Sequence, residues 1–138
     1  MAEEINMLYE KVKELKNKNP EKPCAVLMAE AINTIYHLEL DQNSINLMYG
    51  LSFGLGYGGM CGCYMACLSL SNIVLNSFEN INVRKRQLEI IKLLNDKMGD
   101  FNCSILRQKY AVNGNCIYIL EECSKIFENF IYTKGAKI

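Results

Sequence analysis

Residues 50–67 read GLSFGLGYGGMCGCYMAC, and the rest of the 138-residue chain is understood from this stretch outward. Five glycines, Gly50, Gly54, Gly56, Gly58 and Gly59, fall within ten positions, and Cys61, Cys63 and Cys67 follow where an apolar helical pattern begins. Glycine tolerates positive φ and lets backbones approach closely, so the cluster predicts a tight bend wrapped around something just ahead of a helix. Cys61 then falls in the first helical turn, where backbone N–H groups lack partners and the helix dipole is positive. A thiolate is stabilised there, so the Cys61 pKa is expected to fall, which marks a redox or metal site.

Upstream, Ile5, Leu8, Val12 and Leu15 recur at helical spacing between Glu and Lys residues, which predicts an amphipathic helix over 2–18. Asn19-Pro20 ends it. Pro23 leads into a run of good helix formers and puts Cys24 in the first turn of a second helix. Asp41 is a natural N-cap for a short third helix that runs into the glycine loop. Downstream, a central helix is expected over Cys61–Phe78, and Val83, Leu88, Ile91, Leu94 and Met98 mark another, ended by Gly99. Cys103 opens the short segment CSILRQKY, and after the Asn113-Gly114-Asn115 turn Cys116 opens the last helix. No alternating strand pattern and no internal repeat appear. The expected fold class is therefore all-α: one domain over 1–138, a helical bundle of five principal helices and two short ones.

Composition narrows the function. Lys plus Arg and Asp plus Glu both number 15, so no net field favours a polyanion and nucleic acid is not an expected partner. From Gln42 to Phe78 no residue is charged, but glycines break the first half and Ser69, Ser71, Asn72 and Asn76 interrupt the second. A buried central helix is expected there, not a membrane span. The charged N-terminal segment does not read as a signal peptide, so a cytoplasmic location is expected. In a reducing compartment seven cysteines point to metal ligands or working thiols before a disulfide framework.

Cys24, Cys61, Cys103 and Cys116 each fall at or near a predicted helix start. If those starts converge, their free N–H groups and positive dipole ends surround a concentrated negative charge, as four thiolates on iron and sulfide would supply. Cys63, Cys67 and Cys123 read as small buried hydrophobes or as resolving thiols. His37, the only histidine, reads as an ordinary helix-terminal residue. The glycine loop lacks the Lys-Ser/Thr ending and preceding strand of a phosphate-binding motif. Two further readings stay open: a thiol–disulfide protein using Cys61 and a partner cysteine, and a helical interaction module with inert buried cysteines.

The order Cys24, the loop Phe53-Gly54-Leu55-Gly56, Cys61-Gly62-Cys63-Tyr64-Met65-Ala66, Gly99-x-x-x-Cys103 and Cys116 resembles the four-cysteine, redox-active family of the C_GCAxxG_C_C type. Cys63 stands where that family has alanine, and Ala66 where it has its second glycine; both keep the side chain small. A similar domain occurs in split-Soret cytochromes. The resemblance implies an iron–sulfur cluster held by Cys24, Cys61, Cys103 and Cys116 within a core over 24–132, shielded by Gly58, Gly59 and Gly62, and working in electron transfer or redox sensing with a redox partner protein. No catalytic constellation beyond redox cysteines is visible. The apolar first and central helices suggest a homodimer formed through one of them.

Overall fold

Leu8, Val12 and Leu15 line one face of α1 (Met7–Lys18) in the computed structural model, which describes residues 6–136. Ile5 and the first residues of the helix expected over 2–18 lie outside the described residues. α2 (Cys24–Ile35) starts directly after Pro23, whose extended backbone and absent N–H suit a helix entrance. Asp41 caps α3 (Gln42–Asn46) as expected, its Oδ1 accepting the Ser44 N–H at 2.8 Å. α3 tightens into one further turn at Leu47–Leu51 before the glycine loop. Then come α4 (Gly62–Val74), α5 (Asn80–Met98), α6 (Cys103–Tyr110) and α7 (Ile117–Thr133). Five of these helices are long and two short, and no strand forms among the described residues, so the fold is all-α.

Two boundaries differ from the sequence reading. α4 stops at Val74, short of Phe78, because Asn76 turns left-handed (φ 49°) and the Ser77 N–H reaches back to the Asn72 carbonyl at 3.1 Å. α5 begins at Asn80, so Asn80 and Asn82 lie in its first turn and not in the preceding bend. Its other end is as expected: Gly99 takes φ 85° and donates to the Asn95 carbonyl at 2.7 Å, an arrangement that favours glycine.

α1, α2, α4 and α7 pack as a ring in which each touches the next; α5 lies outside against α4 and α7, and α6 against α7 and the glycine loop. One contiguous core results, with Leu27, Met28, Ile32, Tyr64, Leu120 and Phe127 fully enclosed. Each such burial contributes roughly 1.5–3 kcal/mol, so packing of the apolar faces holds helices that would be marginal alone. Two buried polar side chains reinforce it. Glu128 Oε1 accepts the Leu8 N–H at 2.7 Å and supplies α1 with the cap that Asn6 does not. Burial raises the Glu128 pKa while the Leu8 and Met7 amides pull it back. The Arg86 guanidinium donates to Asn72 Oδ1 at 2.6 Å and to the Ser77 carbonyl at 2.7 Å, fixing the bend after α4.

The faces expected to make a homodimer are used inside the chain. Leu8 and Val12 of α1 are fully buried against α2 and α7, and α4 is enclosed by α2, α5 and α7. Met7 of α1 and Ile73 of α4 are the large apolar side chains that these two helices leave exposed among the described residues. Among the described residues no helix is long and apolar enough to cross a membrane.

Candidate functional site

Four helices begin around one cavity. Cys24 is the first residue of α2 and Cys103 the first of α6, while Cys61 and Cys116 immediately precede α4 and α7. All four cysteines line a cavity of about 240 Å3, together with Lys16, Lys22, Phe53, Gly62 and Arg107. None of these helix starts is closed by a hydrogen bond from its own cap residue's side chain. Positive dipole ends and thiols are thus gathered at one place, an arrangement suited to negative charge.

Local backbone structure explains the convergence. Residues 59–61 and 101–103 run side by side: the Cys61 N–H donates to the Phe101 carbonyl at 2.8 Å and the Cys103 N–H to the Gly59 carbonyl at 2.6 Å, with Met60 paired to Asn102. The Tyr64 hydroxyl donates to the Asp100 carbonyl at 3.0 Å and ties α4 to the same strip. Cys116 is aimed by the turn before it, in which Asn113 and Gly114 both have positive φ and Val112 and Asn115 exchange backbone hydrogen bonds at 3.1 and 2.9 Å. Asn-Gly is the pair that such a turn favours.

The glycines divide between two tasks. Gly62 lines the cavity, and a Cβ there would come within 2.7 Å of the Leu51 carbonyl oxygen. Gly58 and Gly59 are not on the cavity wall; they fasten the loop to α6, Gly58 through its carbonyl, which accepts from Ser104 Oγ at 3.1 Å, and Gly59 through Cys103. Gly54 closes the loop by accepting the Gly59 N–H at 2.9 Å, and a Cβ on it would meet Gly59 backbone at 2.5 Å. Phe53 and Leu55 beside it are also left-handed, φ 58° and 61°, which costs about 1–2 kcal/mol each for a side chain with a Cβ.

The thiols are not alike. Burial pushes Cys61 up to about 12, against the expectation that a helix start would lower it; its Sγ lies toward the Tyr64 and Cys63 amides, which offset only part of the burial and close no cap. The lowered thiol is Cys116, at about 6, because it takes a hydrogen bond from Cys24 and feels Arg107 and Lys16. Cys24 is raised in turn by that same interaction with Cys116 and by burial. Cys103 is raised by burial, with Arg107 opposing. The four cysteines named from the sequence do line one cavity, but the lowered thiol among them is Cys116 and not Cys61. Proximity to a helix start is legible locally; burial and the Cys24 contact come from chain segments far apart.

Cys63, Cys67 and Cys123 form a second group inside the core, all fully enclosed and interacting with one another across α4 and α7. Burial raises Cys63 and Cys123, while Cys67 is drawn down by both neighbours. No cation contributes to the Cys67 shift, so a charge there would stand unpaired in the core, and the group keeps its protons. All seven cysteines are free thiols. Residues that the sequence reading missed are Lys16, Lys22 and Arg107; of these Arg107 was within reach, since it follows Cys103 by four positions on one helical face.

Among the described residues no three His, Cys, Asp or Glu side chains are grouped so as to hold a metal ion. A single tetrahedral ion draws its thiolates to roughly 2.3 Å, a tighter gathering than the four cysteines make around their cavity. An iron–sulfur cluster would spread its cysteine ligands over more than one iron, so Cys24, Cys61, Cys103 and Cys116 would not need to meet at a single point. Cavities of roughly 150 Å3 already admit a benzene-sized guest, so a volume of about 240 Å3 with four thiols on its wall fits a polynuclear group. No family model, curated protein or solved structure matches this chain, so the likeness to the C_GCAxxG_C_C type rests on the residues that carry it.

Proposed function

We propose that the protein is a cytoplasmic redox protein that binds an iron–sulfur cluster through Cys24, Cys61, Cys103 and Cys116 and acts in electron transfer or redox sensing with a partner protein. The observation that carries this reading is that four cysteines, scattered over 93 positions of sequence between Cys24 and Cys116, line one cavity from four helix starts. Such a cluster, when bound, supplies a one-electron couple. The chain's own contribution is to hold the ligands, offset their charge and limit water. Cys61 and Cys116 are buried and Cys24 and Cys103 partly so, which leaves the site near the surface without opening it. Lys16 and Arg107 offset negative charge, and the positive ends of four helices add to them. Anaerobic reconstitution with ferrous iron and sulfide, read by visible absorption, tests the reading: a brown protein with broad visible absorption is expected, and a colourless, iron-free product rejects it.

A second reading is favoured by one specific observation, the interaction of Cys24 with the lowered thiol Cys116. In it a low-molecular-weight disulfide is the oxidant. The Cys116 thiolate attacks one sulfur of that disulfide, which expels a thiolate; the Cys24 thiol then loses its proton and attacks Cys116, releasing the second thiolate. One S–S bond forms as one breaks, and two electrons pass to the oxidant. Disulfide mapping after mild oxidation checks it: a Cys24–Cys116 bond supports this pair in place of the Cys61 pair expected from sequence, and random pairing rejects it.

A further inference from the structure

Arg107 is the cavity cation whose placement goes furthest beyond a general offset of charge. It lies four residues after Cys103, so both project from one face of α6, and both line the cavity with the other three thiols. The other charges on the wall are committed or opposed. Lys22 is paired with Glu30 at 2.8 Å, Lys16 donates to the Pro20 carbonyl at 3.1 Å, and Glu21 carries the one carboxylate. Among the described residues Arg107 makes no ion pair and no side-chain hydrogen bond, although carboxylates pair with eight lysine contacts elsewhere on the surface. An always-charged guanidinium with no carboxylate partner, beside four thiols, is placed to answer negative charge gathered on their sulfur atoms.

We propose that Arg107 is a positioning residue that sets the redox potential of the group held by Cys24, Cys61, Cys103 and Cys116, by offsetting the negative charge that reduction adds. The inference rests on the iron–sulfur reading. One-electron reduction, by dithionite in a titration, adds one negative charge to the site. A nearby fixed cation stabilises that reduced state more than the oxidised one, so its presence raises the midpoint potential. Arg107 is solvent-exposed, so salt screens the effect, which must shrink as ionic strength rises beyond about 0.1 M. Lys16, also on the cavity wall and partly buried, acts in the same direction.

The test is a spectroelectrochemical dithionite titration of the reconstituted full chain as wild type, Arg107→Gln, Arg107→Lys, Lys16→Gln and Lys85→Gln, the last an exposed lysine of α5 away from the cavity. Iron and sulfide are quantified for each. The expected result is unchanged iron content throughout, a lower potential in Arg107→Gln that narrows at high salt, recovery in Arg107→Lys, a smaller fall in Lys16→Gln and none in Lys85→Gln. Iron-loaded Arg107→Gln with an unmoved potential overturns the inference and leaves the iron–sulfur reading standing. A shift equally large at high salt, or equally large in Lys85→Gln, also overturns it. Iron-free wild type overturns the reading itself and the inference with it. Should Arg107→Gln fail to fold, Lys16→Gln and the salt dependence of the wild-type potential carry the same decision.

Discussion

Cys61 and Cys116 occupy the same position relative to their helices, one residue before the first turn, yet their thiols move in opposite directions. For Cys61 the environment is apolar and the dipole's help is too small to repay burial. For Cys116 a donor thiol and two cations tip the balance. In the iron-free, reduced protein the rate of iodoacetamide alkylation at Cys116 is expected to rise with pH through about 6, as its thiolate forms, with Cys61 unmodified up to about 12. Peptide mass mapping over a pH series checks this, and Cys61 reacting before Cys116 contradicts it. At this scale the sequence showed where sulfur sits but not its protonation, since helix position is a local property and desolvation is not.

The element that does most to build the site is the loop between Leu51 and Cys61. Its glycines were legible as a bend, and Gly54 shows why: at φ 60° with Gly59 backbone 2.5 Å from a Cβ, only glycine fits. Gly54→Ala is expected to cost at least about 2 kcal/mol, from the left-handed backbone and the clash together, and to disturb Cys103, whose Cβ is the next neighbour. Leu55→Gly, at φ 61° and exposed, is expected to leave urea-unfolding stability equal or slightly higher, because relief of strain offsets the added freedom of the unfolded chain. Stability lost equally in both variants would contradict this account of the loop. What could not be read was the partner strip: the pairing of residues 59–61 with 101–103 joins segments about forty positions apart through backbone groups, which leave no side-chain signature.

Across the whole molecule, the period of the apolar residues was enough to give the seven helices of the described residues, because faces repeat at helical spacing and the breaks carry Pro, Gly or Asn, or, between α2 and α3, the capping Asp41. Which faces meet was not. Glu128 reaches α1 from a position 120 residues away, and the α1 stripe closes the ring of four helices. A chain beginning at Glu21 is therefore expected to lose stability and not merely a partner. Removing Leu8 and Val12, both fully buried, withdraws roughly 1.5–3 kcal/mol apiece and leaves Glu128 without its amide partner. Thermal unfolding by circular dichroism decides: an unchanged Tm for the truncated chain contradicts the ring.

The central claim is that four particular cysteines out of seven form one site, and both core and site cysteines are scattered along the same chain. Its most direct test is iron and sulfide quantified after anaerobic reconstitution of seven single Cys→Ala variants, each first shown to be folded by circular dichroism. Loss of bound iron and sulfide in Cys24→Ala, Cys61→Ala, Cys103→Ala and Cys116→Ala, with near wild-type content in Cys63→Ala, Cys67→Ala and Cys123→Ala, is the expected pattern. Retention in the first four variants, or loss confined to the core three, would contradict it.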